Sequence, residues 1–263
     1  MRREPSRRTI DMVRPDRVGY ASLRALRRAV STFAPMRCVI CGLPADADSR
    51  YPLCARCAGR LLDEALESAE LSRPAARDPS RCPVCGKLAV SELGPCMRCR
   101  SAGYRFDSAL PLLRYSGDAR AALLSYKAGR TSLASFFADA LAVALSGHYS
   151  GRTVVPVPPR PGKIRRYGWD QVERIARILE RRHGIAVARV LKRAGGHQQK
   201  SLGLEARAVN MRGAISLRRG AEAPLAPVLL DDVMTTGATL SACADALKGA
   251  GAGRVDAIVI AAD

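Results

Sequence analysis

Apolar positions recur along residues 109–262 in two alternating rhythms. ALPLLRY (109–115), RTVVPVP (152–158), APVLL (226–230) and VDAIVIAA (255–262) are short apolar runs that predict buried strands. Between them, AALLSYKAGR (121–130) opens a helix and SLASFFADALAVAL (132–145) is strongly amphipathic. QVERIARILERRHG (171–184) reads as a helix closed by Gly184, and LSACADALKGAGA (240–252) as a helix with a Gly-rich stop. Strands that alternate with helices and are apolar throughout predict a parallel sheet covered on both faces. The expected fold class is α/β.

Upstream, ASLRALRRAVSTFAP places Leu23, Leu26, Val30 and Phe33 at helical spacing with arginines on the other face. An amphipathic helix over 20–37 that docks on the body is expected; the alternative is that it binds an acidic partner. Residues 1–19 have no periodicity and predict a disordered basic tail. No apolar run approaches the roughly 20 residues of a membrane-spanning helix. No apolar segment follows the N-terminal arginines, which argues against a signal peptide. The expectation is a cytoplasmic protein with no membrane insertion.

Eight of the nine cysteines fall in four CxxC pairs: Cys38 and Cys41, Cys54 and Cys57, Cys82 and Cys85, Cys96 and Cys99. A CxxC turn sets two thiolates on one side of a knuckle, and two knuckles complete a tetrahedral four-thiolate site. Gly42 and Gly86, which follow the second cysteine of their pairs, fit the tight turn. Pairing in sequence order predicts a double zinc-ribbon module over 38–104, with two structural zinc ions and loops of about a dozen residues. Disulfides suit a secreted chain, and a redox CxxC normally stands alone, so both alternatives fit less well. His148, His183 and His197 lie outside this segment, which argues against a catalytic zinc. Cys243 stands apart on an apolar helical face and reads as packing.

Composition changes the picture mainly through charge. The net charge is +19, and residues 160–219 alone hold sixteen bases against four acids. Such a block favours a polyanionic partner; the alternative is that the arginines simply solvate exposed helix faces. Arg181, Arg182, Lys192 and Arg193 are the candidate nucleic-acid contacts, although Tyr167 and Trp169 are the only aromatics in the block.

One stretch carries chemistry. In VLLDDVMTTGATL (228–240), Asp231 and Asp232 emerge from an apolar strand, and a hydroxyl-rich turn leads into a helix. Open α/β sheets bind ligands at the carboxyl ends of their strands. A turn at a helix N-terminus offers unpaired N–H groups to an anion, while two carboxylates accept hydrogen bonds from vicinal hydroxyls. A sugar phosphate satisfies both halves. An Asp-rich turn with threonine helix caps explains one threonine but not three around a glycine.

VLLDDVMTTGATL resembles the phosphoribosyl pyrophosphate (PRPP) motif of type I phosphoribosyltransferases. The resemblance implies that Asp231 and Asp232 hold the ribose hydroxyls in the catalytic site. It assigns the 5′-phosphate to Thr235, Thr236, Gly237, Ala238 and Thr239. Together with the cysteine pairs, the chain resembles the ComF/GntX branch, amidophosphoribosyltransferase-like proteins with a double zinc ribbon before a phosphoribosyltransferase domain, here 105–263. Shared landmarks are Lys127 in LLSYKAGR, VVPVPPR, RRYGWDQ, and QKSLGLEARAVNMRGA with Gln199, Arg207 and Asn210. The chain departs from the branch at Tyr167, Trp169 and Asp170, where arginine, phenylalanine and asparagine are usual, and at residues 195–197, where the usual threonine is absent.

Two readings follow. As an enzyme, the chain would displace pyrophosphate from PRPP with a nitrogen nucleophile. Mg²⁺, Lys127, backbone around Val157 and Pro158, and Arg165 and Arg166 would then hold the leaving group, with Lys163 nearby. As a binding protein, the resemblance implies a role in DNA uptake and natural competence. Its partners would be a nucleotide-like ligand, single-stranded DNA and a DNA-uptake helicase.

Overall fold

The computed structural model describes residues 36–45, 50–71, 80–88, 94–194 and 214–263. The tail at 1–19, most of the helix expected over 20–37, and the landmarks Gln199, Arg207 and Asn210 lie outside the described residues.

The element order is α1 (Ala55–Leu71), α2 (Met97–Ala102), β1 (Ser108–Arg114), α3 (Gly117–Lys127), α4 (Leu133–His148), β2 (Val154–Pro156), α5 (Lys163–Tyr167), α6 (Gln171–His183), β3 (Leu191–Arg193), β4 (Ile215–Leu217), β5 (Val228–Met234), α7 (Ala238–Gly249) and β6 (Asp256–Ala262). Four strands form a parallel sheet in the order β1-β6-β5-β2, and β3 pairs with β4 in a separate antiparallel ribbon. The fold is α/β with a parallel central sheet, as the apolar runs predict.

Alternation along each strand sends side chains to opposite faces, and here both faces are dry. Leu110, Leu112, Val154, Val228, Leu230, Ile258 and Ile260 join a core with α3, α4 and α6. Ala109, Val155, Val157, Leu229, Ala257 and Val259 join a second core with α7. All seven residues of β6 are buried, which accounts for its unbroken apolar reading.

The cysteine-bearing segments divide between these two cores. Cys38, Cys54 and Cys57 belong to the first, with Leu61 and Ala65 of α1, while Cys82, Cys85 and Cys99 belong to the second. The same segments cover the free edge of β1, whose unpaired backbone would otherwise template aggregation. The Ala109 amide donates to Val84 O at 2.7 Å, the Ser68 hydroxyl to Pro111 O at 2.6 Å, and the Arg114 amide to Glu64 Oε1 at 2.7 Å. Pro111 is tolerated inside a strand because β1 is an edge. On the other edge, the Val154 amide donates to Ala186 O and Val154 O accepts from the Ala188 amide.

Three differences from the sequence reading have physical causes. Helix α1 was read as part of the zinc-ribbon segment, yet Leu61, Ala65 and Ala69 form a buried stripe at helical spacing against β1 and α4. Strand β5 does not stop at Leu230 but runs to Met234, so Asp231 and Asp232 lie within it, because β6 continues the pairing as Asp231↔Val259 and Val233↔Ala261. The β3–β4 ribbon has three residues per strand, too few for a period-2 pattern to register.

Two buried ionic groups brace the framework. Asp256, fully buried at the start of β6, accepts from Arg152 at 2.5 Å, Arg254 at 2.7 Å and the Ser108 hydroxyl at 2.6 Å. Although burial opposes its charge, these donors hold its carboxyl below the ordinary range. Asp139 on α4 accepts from the Tyr51 hydroxyl, from Arg182 at 3.2 Å and from His183 at 2.8 Å, tying the first cysteine segment to α4 and α6.

Candidate functional site

Asp231 and Asp232 sit on β5 beyond the end of β2, whose last paired residue is Pro156 opposite Leu230. Both carboxylates are half-buried. The Asp232 amide donates to Asp231 Oδ1 at 2.8 Å, and the Val233 amide to Asp232 Oδ1 at 2.7 Å. Lys127, at the C-terminus of α3, meets Asp232 at 2.9 Å. It therefore lies against the acidic pair. Burial and the Asp232 carboxylate push the Asp231 carboxyl well above the ordinary carboxylate range, against the pull of Lys127. Two adjacent carboxylates held this way call for hydroxyl donors or a hard cation.

The turn after β5 begins at Thr235. Thr235 and Thr236 are exposed, while Gly237 caps α7 with a left-handed φ of 73°. The Ala238 amide reaches the Thr236 hydroxyl at 3.4 Å. Ala238 and Thr239 open the helix, so its first amides lack intrahelical partners and lie at the positive end of the helix dipole. The structure gives two reasons for glycine at 237: the positive φ, and the Tyr104 ring, whose Cε1 would lie 3.0 Å from a Cβ at this position. Tyr104 was not singled out by sequence because nothing local links it to a turn 132 residues away.

The residues expected on the pyrophosphate side meet different fates. Val157 and Pro158 are buried; the Val157 amide donates to Leu230 O at 2.9 Å, and proline has no N–H. Neither supplies the backbone donor expected there, because the strand ladder uses the first. Arg165 and Arg166 are exposed on α5, with Arg166 packed over the Tyr167 ring. Lys163 is held by Asp170 at 2.7 Å, and Asp170 also caps α6 by accepting from the Glu173 amide at 2.9 Å. Aspartate where the branch has asparagine thus has a local role.

Nor do the four nucleic-acid candidates form one free face. Arg181 and Lys192 are exposed, but Arg182 is paired with Asp139. Arg193 is half-buried; burial and repulsion from Arg160 lower its proton affinity, while Asp231 raises it. Arg177 and Arg189 also spend their charge on Glu173 and Glu180.

The cysteines assemble as their order predicts. In each quartet, Cys38/Cys41/Cys54/Cys57 and Cys82/Cys85/Cys96/Cys99, the four sulfurs lie within 4.8 Å of one another. Cys41 and Cys54 sulfurs are 3.6 Å apart, Cys82 and Cys99 3.6 Å, and Cys85 and Cys96 3.9 Å. Four sulfurs at about 2.3 Å from a shared ion lie roughly 3.8 Å apart, whereas a disulfide closes to about 2.05 Å. The donor set therefore suits a tetrahedral thiophilic ion. Burial raises the Cys38 thiol, but donation from the Cys41, Cys54 and Ile40 amides outweighs it and brings the group down to about 6. Cys82 falls likewise to about 7 through the Cys85, Cys96 and Val84 amides.

The quartets are structural copies. RCVICG and RCPVCG each close with a glycine at positive φ, and each second pair opens a helix, α1 or α2. Cys243 is fully buried in the second core, as its apolar setting predicts. Among the described residues no helix is long and apolar enough to cross a membrane.

No family model matches the sequence, and no curated protein matches it.

Proposed function

We propose that the chain binds a 5-phosphoribosyl ligand of the PRPP type, with Mg²⁺, at the carboxyl end of β5. The observation that supports this reading is the placing of the Asp231–Asp232 pair, with Lys127 against it, on the last residues of β5, directly before the threonine-rich turn at the N-terminus of α7. The carboxylates accept from the ribose hydroxyls, and the turn holds the 5′-phosphate through its hydroxyls and first-turn amides. The acidic pair also suits Mg²⁺, a hard cation that takes oxygen ligands and would neutralise the diphosphate. Zinc is the ion we assign to both quartets, as a structural element.

Turnover is the second reading. It is favoured by Lys127, a cationic side chain 2.9 Å from Asp232. Basic groups there would steady a departing diphosphate while a nitrogen nucleophile attacks the anomeric carbon. A role in DNA uptake rests on the resemblance to the ComF branch and on the positive block at 160–219.

Calorimetric titration of the zinc-replete protein with PRPP and Mg²⁺, beside Asp231→Asn/Asp232→Asn, tests the pocket. Micromolar binding that disappears in the double variant supports it. Absence of binding to wild type overturns it. Titration with single-stranded DNA at two salt concentrations tests the second partner, because contacts to phosphates weaken steeply with salt.

A further inference from the structure

The second cysteine quartet does more than close a core. It carries three side chains that reach back to the phosphate turn. Lys87 Nζ donates to Thr235 O at 3.2 Å, Arg98 Nη1 to the same oxygen at 3.4 Å, and the Tyr104 hydroxyl to Thr236 O at 2.6 Å. The Tyr104 ring closes over Gly237. Next in sequence, the Arg105 amide donates to Ser241 Oγ and its guanidinium pairs with Asp245, both on α7. The cysteines set the position of these groups. The Cys82 amide closes the knuckle on Lys87 O at 2.8 Å, and Arg98 lies between Cys96 and Cys99 on α2. A small cleft lined by Cys85, Cys96, Met234 and Asp263 separates the quartet from the turn, and Lys87 and Arg98 bridge it.

In a planar trans peptide the C=O and the following N–H point in opposite directions. Fixing Thr235 O toward Lys87 and Arg98 therefore turns the Thr236 amide away from the quartet. Fixing Thr236 O on Tyr104 does the same for the Gly237 amide. These are donors that an anion cradle needs on its open side. The bracket holds the back of the turn and so aims its front.

We propose that the second quartet, with Lys87, Arg98 and Tyr104 as positioning residues, clamps the 235–237 turn, so that metal held by Cys82, Cys85, Cys96 and Cys99 and anion held by the turn stabilise each other. The anion half rests on the phosphoribosyl reading above. The first quartet lies in the opposite core and makes no such contact among the described residues, so it serves as an internal control.

The test uses the full-length, metal-loaded protein and the variant Lys87→Ala/Arg98→Ala/Tyr104→Phe, whose substitutions leave all eight ligands in place. Metal content should remain two per chain. Hydrogen exchange of the first hydrogen-bonded amides of α7, beginning with Ser241, which donates to Gly237 O at 2.9 Å, should accelerate at least roughly tenfold in the ligand-free variant once the turn is released, while β6 exchanges as in wild type. Unchanged exchange at the start of α7 with both metals retained overturns the clamp. Because coupling is reciprocal, saturating ribose 5-phosphate should slow chelator-driven release of one metal equivalent in wild type by roughly tenfold and leave the other unaltered. Protection of both metals, or of neither by a ligand that binds, overturns the coupling. Failure of ribose 5-phosphate to bind wild type would sink the phosphoribosyl reading and the reciprocal half together, whereas the exchange result decides the clamp without any ligand.

Discussion

Replacing Asp231 by Asn should stabilise the ligand-free protein, and more so at high pH. Burial and the Asp232 charge raise the folded-state pKa of Asp231. The folded chain then keeps a proton that the unfolded chain has released, so the stability contribution is fully present below about pH 4 and is lost as pH rises through the folded value. A difference of one proton changes stability by about 1.4 kcal/mol per pH unit, a ceiling of about 4 kcal/mol between pH 5 and pH 8. The Lys127 ammonium, 2.9 Å from Asp232, stabilises the doubly charged pair. Solvent reaching the half-buried carboxylates screens their repulsion further, and about 1–2 kcal/mol is the expected remainder. Urea unfolding of wild type and Asp231→Asn at pH 5, 6.5 and 8, with equal metal loading, reads the difference directly. Thiol titration occurs in both proteins and cancels. The stability of the variant minus that of wild type should grow with pH. A difference that is flat within about 0.3 kcal/mol, or that shrinks, would show that the acidic pair is not strained. Greater stability accompanied by lost ligand binding is the pattern of a site held in a costly state for function.

Other perturbations separate the roles of individual residues. Gly86→Ala should cost at least about 3 kcal/mol, because its φ of 68° disfavours a side chain and a Cβ would lie 2.5 Å from both Ala109 O and Pro111 Cδ. Gly42→Ala, at φ 74° with nothing nearby, should cost only about 1–2 kcal/mol; equal losses in denaturant unfolding would contradict the edge contact. Asp256→Ala strands Arg152 and should destabilise by about 3–5 kcal/mol, read as a fall in the urea midpoint; a neutral result would mean the triad contributes nothing. Stripping both metals with a chelator should abolish cooperative unfolding, as followed by circular dichroism, since both cores include cysteine ligands.

The parts of the fold legible in sequence are those in which a single pattern decides the outcome. The unbroken apolar runs of β1, β5 and β6 and the amphipathic α4 and α6 read directly, and so do the cysteine quartets, whose members are close in sequence. Helix α1 has an amphipathic pattern, with Leu61, Ala65 and Ala69 on its buried face, but nothing local shows that this face packs on the edge of β1. The acidic pair and the threonine turn could be read locally, but their surroundings could not. Lys127 on Asp232, Arg193 near Asp231 and Tyr104 over Gly237 are tertiary meetings without a local signature. Charge misled most where it was densest, since the pairing of Lys163, Arg182 and Arg189 depends on which acids folding brings alongside.

The pairing of β1 with β6 has a consequence for synthesis. Ser108 and Asp256 are partners 148 residues apart. At translation speeds of about 5–20 residues per second, β1 emerges roughly 7–30 s before its only neighbour in the sheet. Both quartets are complete by Cys99, so metal capture can run well ahead of sheet assembly. During that interval the knuckles already shield one side of β1, and a nascent chain arrested near residue 200 should hold its metals while the rest of the polypeptide stays open to protease.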